Sequence, residues 1–130
     1  MRYLLDTHIL LWWLGMPERL PADIRELMQH HPEEVAFSAI APWEVALKMS
    51  KGKLVAPPGL VSGLADSEFA CLPVELRHVE ALHQLPPLHG DPFDRMLVAQ
   101  CYRDALTLIT ADAQLAEYPI AVRLLRYSLS

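Results

Sequence analysis

The sequence has little with which to cross a membrane, cross-link itself or attract a polyanion. Its longest uninterrupted apolar run, residues 9–14, has six residues, against the ~20 that a bilayer-spanning helix needs. Asp6 and His8 break up the N-terminus, so it lacks the form of a signal peptide, and the cytoplasm is the expected compartment. Only two cysteines occur, Cys71 and Cys101, with no Cys or His nearby at zinc-ligand spacing. A disulfide framework and a zinc site are therefore excluded, and both thiols are expected as small core side chains. Basic residues are scarce as well. Eleven Lys and Arg against sixteen Asp and Glu give a net charge of −5, so bulk electrostatics cannot draw nucleic acid to this chain. There is no internal repeat and no flexible linker.

What is present suits one globular domain spanning residues 1–130. A chain of 130 residues buries about two-thirds of its unfolded surface and needs no disulfide or structural metal to fold. Apolar residues make up 52% and charged residues 21%, a balance that excludes a disordered chain.

Apolar runs alternate with helical periodicities along the chain. Residues 2–6 read as a buried strand stopping at an acid. Residues 9–14 read as a helix ended by Gly15, Met16 and Pro17. Trp12 and Trp13 point about 100° apart on such a helix, so one is expected in the core and the other at an interface. Ile24, Leu27, Met28 and His31 predict a second helix starting at Pro21. After a strand at residues 35–38, Pro42 suits the first position of a helix, which puts Glu44 in its first turn. Trp43, Ala46 and Leu47 would form that helix's apolar face, with an end near Gly52. A short helix bounded by Pro57 and Pro58 is expected within residues 56–68, a strand within 69–74, and a helix with Leu76, Val79 and Leu82 on one face. The proline-rich connector at residues 85–92 is stiff. It leads into a helix over 92–104 with Phe93, Met96, Leu97 and Cys101 on a stripe. Residues 106–110 form the clearest strand, followed by a short helix and a final run at 121–125. Continuously apolar strands alternating with helices predict an α/β fold of three layers, a parallel sheet covered on both faces.

In such sheets ligands bind at the carboxyl ends of the strands, and acids stand there. Asp6 and Asp112 each follow an apolar run, while Glu44 and Asp94, the latter behind Asp91 and Pro92, fall near helix starts. One such acid is explained by a turn, a cap or the helix dipole, the last worth about 0.3–1 kcal/mol. Four that converge would repel each other and lose hydration. Hard oxygen ligands then suit Mg²⁺ or Mn²⁺. Setting the four aside leaves twelve acids against eleven bases, so the acidic balance belongs mostly to this site. A carboxylate-held divalent ion clamps a phosphate and activates water, which makes phosphodiester hydrolysis the natural reaction.

Four segments carry a resemblance: Leu4-Leu5-Asp6-Thr7-His8-Ile9-Leu10-Leu11-Trp12, Phe37-Ser38-Ala39-Ile40-Ala41-Pro42-Trp43-Glu44-Val45, Gly90-Asp91-Pro92-Phe93-Asp94-Arg95-Met96-Leu97-Val98-Ala99-Gln100 and Leu108-Ile109-Thr110-Ala111-Asp112. In this order they resemble the PIN-domain nucleases, and among them the VapC-type toxins of toxin–antitoxin pairs. The resemblance implies a PilT N-terminus-like fold and a Mg²⁺- or Mn²⁺-dependent ribonuclease. Its catalytic, metal-holding quartet would be Asp6, Glu44, Asp94 and Asp112, with Asp91 either a supporting acid or itself the ligand beside Asp94. Thr7 and Thr110 would orient carboxylates or water. A homodimer, an RNA substrate and a cognate VapB-type antitoxin are implied as partners.

Lys48, Lys51 and Lys53 are all the lysines in the chain. They read either as a solvated helix end suited to the dipole or as a local patch for RNA phosphates. Arg95 is a further candidate phosphate contact, or an ion-pair partner of Asp94. His8 and His89 flank site acids, but a metal-activated water makes a histidine base unnecessary. Two other functions fit parts of the pattern. An aspartate-nucleophile, Mg²⁺-dependent phosphatase also carries an acid after its first strand, but has a second acid where this chain has His8. A non-catalytic PIN-like binding module would use the acids only to receive a basic partner segment.

Overall fold

The computed structural model describes residues 1–56 and 59–126. Five parallel strands form its sheet: β1 (Tyr3–Leu5), β2 (Val35–Ser38), β3 (Ala70–Leu72), β4 (Thr107–Thr110) and β5 (Ala121–Leu124). They stand in the order β3-β2-β1-β4-β5. Leu5 lies opposite Phe37 on one side and Ile109 on the other. Because successive side chains alternate faces, Leu4, Ala36 and Leu108 enter one core, and Leu5, Phe37 and Ile109 enter a second. Helices α5 (Leu76–Leu82) and α6 (Pro92–Asp104) close the first core with Ala81, Leu97, Val98 and Cys101. Helices α1 (Thr7–Gly15), α2 (Ala22–His30) and α4 (Leu60–Ala65) close the second with Ile9, Leu10, Ile24, Met28 and Leu64. Helix α3 (Ile40–Ser50) adds Ile40 to the first core and Ala41 to the second. The result is the expected three-layer fold. The chain leaves central β1 toward β2 and β3 in one direction and reaches β4 and β5 on the other. The loops after β1 and β4 therefore part and open a crevice at the carboxyl edge.

Several local expectations are corrected. Helix α3 starts at Ile40 rather than Pro42, because the Ser38 hydroxyl accepts the Ile40 N–H at 3.1 Å. Pro42 then takes the third helical position, where a missing N–H costs no intrahelical bond. Glu44 falls in the second turn, and the buried face is Ile40, Ala41, Glu44 and Val45. Trp43 is 58% exposed and meets the Phe93 ring edge-on at 5.1 Å, and Ala46 is exposed. Of the paired tryptophans, Trp12 is buried and Trp13 leans edge-on against Phe69. Cys101 is in the core, whereas Cys71 is exposed on edge strand β3. The expected boundary at Pro57 and Pro58 lies outside the described residues, and α4 begins at Leu60.

Helix α5 is rotated relative to its apolar periodicity. Leu76 is 85% exposed and Val79 is exposed too, while His78 and Ala81 are buried. A polar clamp fixes this orientation. The His78 Nδ1 accepts the Glu75 N–H at 3.0 Å, so a neutral ring carries its proton on Nε2 and donates it to Asp104 Oδ2 at 2.9 Å. Arg77 grips the same carboxylate through Nε and Nη2, each at 3.0 Å. Both hydrogen-bonding capacities of a fully buried imidazole are thereby met, and α5 is bound to the C-terminal end of α6.

The Arg77 guanidinium, followed by His78, holds the Asp104 carboxyl down at about 2, below its ordinary 3.8. A depressed folded-state value contributes stability that is present above pH ~4 and is lost as pH falls toward 2. Asp104→Asn should therefore lower unfolding free energy at pH 7 by about 1 kcal/mol, allowing for solvent screening. Urea unfolding should show the gap to the parent closing between pH 4 and pH 2.

Candidate metal centre

Asp6 follows β1 and continues its ladder, donating its N–H to Ile109 O at 2.9 Å. That register sets it beside Thr110, the last residue of β4, whose hydroxyl donates to Asp6 Oδ2 at 2.6 Å. The same Thr110 oxygen accepts the Asp112 N–H at 3.0 Å. One hydroxyl thus fixes one acid's carboxylate and the other acid's backbone. Thr7, the first residue of α1, does similar work on the other side by donating to Glu44 Oε1 at 2.8 Å. Both threonines are buried, as are Asp6 and Glu44, each only 4% exposed.

Glu44 is a buried acid on an otherwise apolar helix face, and its second oxygen is held by Lys48 Nζ, one turn on along α3, at 2.6 Å. Asp91 caps α6, its Oδ1 accepting the N–H groups of Phe93 at 2.8 Å and Asp94 at 3.1 Å. This is a favourable use of a carboxylate at a helix start, and it sets Asp94 in the first turn. His89 stands between the remaining two acids, its Nε2 4.0 Å from Asp94 Oδ2 and 3.7 Å from Asp112 Oδ2. Polar atoms of His89, Asp94 and Asp112 all lie within 4.8 Å of one another.

The electrostatics bind these contacts into one cluster. Burial first, and then the negative charges of Asp6, Asp91, Glu44 and Asp112, together push the Asp94 carboxyl up from 3.8 to about 7. Burial also raises Asp6, with Glu44 adding to it, against the opposing pull of the Thr110 hydrogen bond and of His8. Acids drawn from four separate stretches of the chain therefore sense one another. This oxygen-rich set of mutually repelling carboxylates, buried at Asp6 and Glu44 and partly exposed at Asp94 and Asp112, fits a hard divalent cation. His89 fits a different task. Its Nδ1 accepts the Asp91 N–H at 3.2 Å, so a neutral ring keeps its proton on Nε2 and offers a donor, not a lone pair, to the crevice.

The structure thus brings together Asp6, Glu44, Asp94 and Asp112, with Thr7, Thr110 and Asp91 supporting them. Lys48 belongs to the cluster, whereas Lys51 and Lys53 are exposed beyond α3. Arg95 is half-buried and makes no ion pair with Asp94 among the described residues, and its Nε–H has no hydrogen-bond partner. From the sequence His89 reads only as a general base made unnecessary by metal-activated water, whereas the structure sets it between Asp94 and Asp112.

Comparison with known proteins adds an independent line. The PIN domain family model matches residues 3–121. Ribonuclease VapC22 of Mycobacterium tuberculosis is 27% identical over 120 residues, covering 88% of this chain and 90% of that protein. The fold is similar to that in the crystal structure of VapBC2 from Rickettsia felis bound to a promoter DNA fragment. There the TM-score is 0.74 at 15% identity, over 97% of this chain and 100% of the other. DNA-bound VapBC from Salmonella typhimurium is also similar, with a TM-score of 0.69 at 17% identity, over 95% and 97% of the two chains.

The raised Asp94 value fixes the sign of a pH effect. The folded, metal-free protein holds this proton where the unfolded chain has lost it, so stability falls as pH rises from about 4 through 7. A shift of about three units sets an upper bound of about 4 kcal/mol. Asp94→Asn should remove that slope. In EDTA it should unfold at higher urea than the parent at pH 7.5 and show no such advantage at pH 4.

Proposed function

The chain belongs to the PIN-domain family, and from that premise we propose that it is a Mg²⁺- or Mn²⁺-dependent endoribonuclease acting as the toxin of a toxin–antitoxin pair. The observation that carries this reading is the gathering of Asp6, Glu44, Asp94 and Asp112 at one edge, where burial and the charges of Asp6, Asp91, Glu44 and Asp112 hold the Asp94 carboxyl up near 7. Such a cluster is costly unless a cation offsets it. Asp6, Glu44, Asp94 and Asp112 would hold the ion, with Asp91 kept to its capping role and orienting Asp94 through the helix. When bound, Mg²⁺ or Mn²⁺ supplies Lewis-acid polarisation of a phosphate and lowers the pKa of water.

The chain's own residues account for the rest. Thr7 and Thr110 lock one oxygen each of Glu44 and Asp6, so these carboxylates meet the substrate already oriented. The His89 Nε2–H faces the crevice, where it would donate to a phosphate oxygen. Arg95 brings an unpaired N–H to the same end of α6, and Lys48, Lys51 and Lys53 supply positive charge along the neighbouring helix end. These local cations would offset a net charge of −5 when the substrate is a polyanion. In the hydrolysis, water oxygen bonds to phosphorus as the bond to one nucleoside oxygen breaks, and that leaving oxygen takes up a proton.

A cognate antitoxin, a homodimer and a cytoplasmic location belong to the same reading. The named relatives include toxin–antitoxin complexes. No helix among the described residues is long and apolar enough to cross a membrane. An apolar cavity of about 550 Å³ beside α1, lined in part by Trp12, Leu14, Met16, Val55 and Leu60, supports a bound partner segment. The phosphatase reading keeps no support: the lysine near the acids pairs with Glu44, and the family is that of nucleases.

Incubation of purified protein with RNA should give cleavage that requires Mg²⁺ or Mn²⁺ and stops with EDTA. Asp6→Asn should slow it by about 100-fold or more. Intact RNA under all conditions, together with tight binding of a basic partner, would leave the non-catalytic module as the correct reading.

A further inference from the structure

We infer that Lys48 is a resident counter-ion of the metal centre: its ammonium occupies the Glu44 carboxylate in the metal-free chain and gives way when a divalent cation binds. The inference rests on the metal-dependent reading above and assigns one of its lysines a specific task. Glu44 and Lys48 lie one turn apart on α3, with Nζ 2.6 Å from Oε2. An ordinary pair at this spacing is exposed on both sides and contributes little. Here the Glu44 side chain is 5% exposed and that of Lys48 is 39% exposed, so the lysine reaches in from solvent and caps a carboxylate that has almost no water. The other Glu44 oxygen already accepts the Thr7 hydroxyl. Asp91 and Asp94 also act on the ammonium. Among the described residues no other Lys or Arg forms an ion pair with any of the four acids; His89 faces Asp94 and Asp112.

An ammonium and a divalent cation satisfy the same need of Glu44 and repel each other when both are present. The ion has the larger charge, while the lysine has a flexible four-carbon stem and a route to water, so the lysine is the group that moves. Released, it stands at the mouth of the crevice, where a nucleic-acid phosphate is the nearest new partner. The exchange is reciprocal: a group that ion binding displaces must weaken ion binding by the same factor. Removing the ammonium should therefore tighten metal uptake while loosening the metal-free fold. Lys51 and Lys53 carry the same charge close by without touching Glu44, which makes them internal controls.

Calorimetric titration of Mn²⁺ into EDTA-stripped, dialysed protein tests this without reference to RNA cleavage. Lys48→Gln should bind Mn²⁺ about five- to tenfold more tightly than the parent and melt at a lower temperature before metal is added. Lys48→Arg should stay near the parent, and Lys51→Gln should change affinity less than about twofold. The native protein offers a second readout, since it contains only three lysines. At Mg²⁺ concentrations that calorimetry shows to be saturating, the side-chain ε-CH₂ resonance of Lys48 should shift toward those of Lys51 and Lys53, which stay in place. An unchanged or weaker Mn²⁺ affinity in Lys48→Gln, or a Lys48 resonance indifferent to bound Mg²⁺, overturns the counter-ion role and leaves the metal centre standing. Absence of any divalent uptake by the parent overturns both.

Discussion

Mutual repulsion among buried carboxylates is the constraint to which the carboxyl edge of this sheet answers. Two of the four acids are 4% exposed and have too little water to screen them. Each is met by a specific neighbour: Thr110 on Asp6, Thr7 and Lys48 on Glu44, His89 between Asp94 and Asp112. Asp94 holds its proton up to about 7. The metal-free cluster thus reduces its charge by protonation in one place and by an internal cation in another. None of these devices would be needed around isolated surface acids.

The topology creates this situation and also bounds it. A parallel sheet with β1 at its centre sends the chain off in both directions, so the ends of β1 and β4 are flanked by diverging loops instead of being sealed by one. Two apolar cores hold the strands rigidly from either face, and the acids stand where those cores stop. At that border the side chains are small and hydroxylated (Thr7, Ser38, Thr110), all buried. Each can satisfy a polar neighbour without adding charge. Helix α6 contributes differently, offering the N–H groups of its first turn to Asp91 and so turning one acid into a fixed support for the next.

Much of this could be read from the residues. Asp6 and Asp112 were legible because each ends an apolar run, and in a parallel sheet such an end is where ligands bind. The Phe93, Met96, Leu97 and Cys101 stripe was legible because burial follows helical spacing there. Glu44 was recognised on an incorrect local argument. The start of α3 is set by the Ser38 hydroxyl, not by Pro42, and the acid lies within the buried face instead of decorating the first turn. Periodicity found α5 and the packing of Leu82 but misplaced the rest of its buried face, because the partner of His78 stands 26 residues away and no local pattern carries that information. The Glu44–Lys48 spacing was visible, but its meaning depends on one partner being buried and the other not, which only tertiary packing decides.

The Thr110–Asp6 hydrogen bond joins residues 104 positions apart, and it ties the crevice to the integrity of the sheet's centre. Asp6 stands at the end of β1, while Thr110 and Asp112 stand at the end of β4. Without the pairing of β4 to β1, the edge lacks one acid and the hydroxyl that aims another. The crevice is thus complete only while β4 stays docked beside β1, so a local opening that releases β4 takes the site apart.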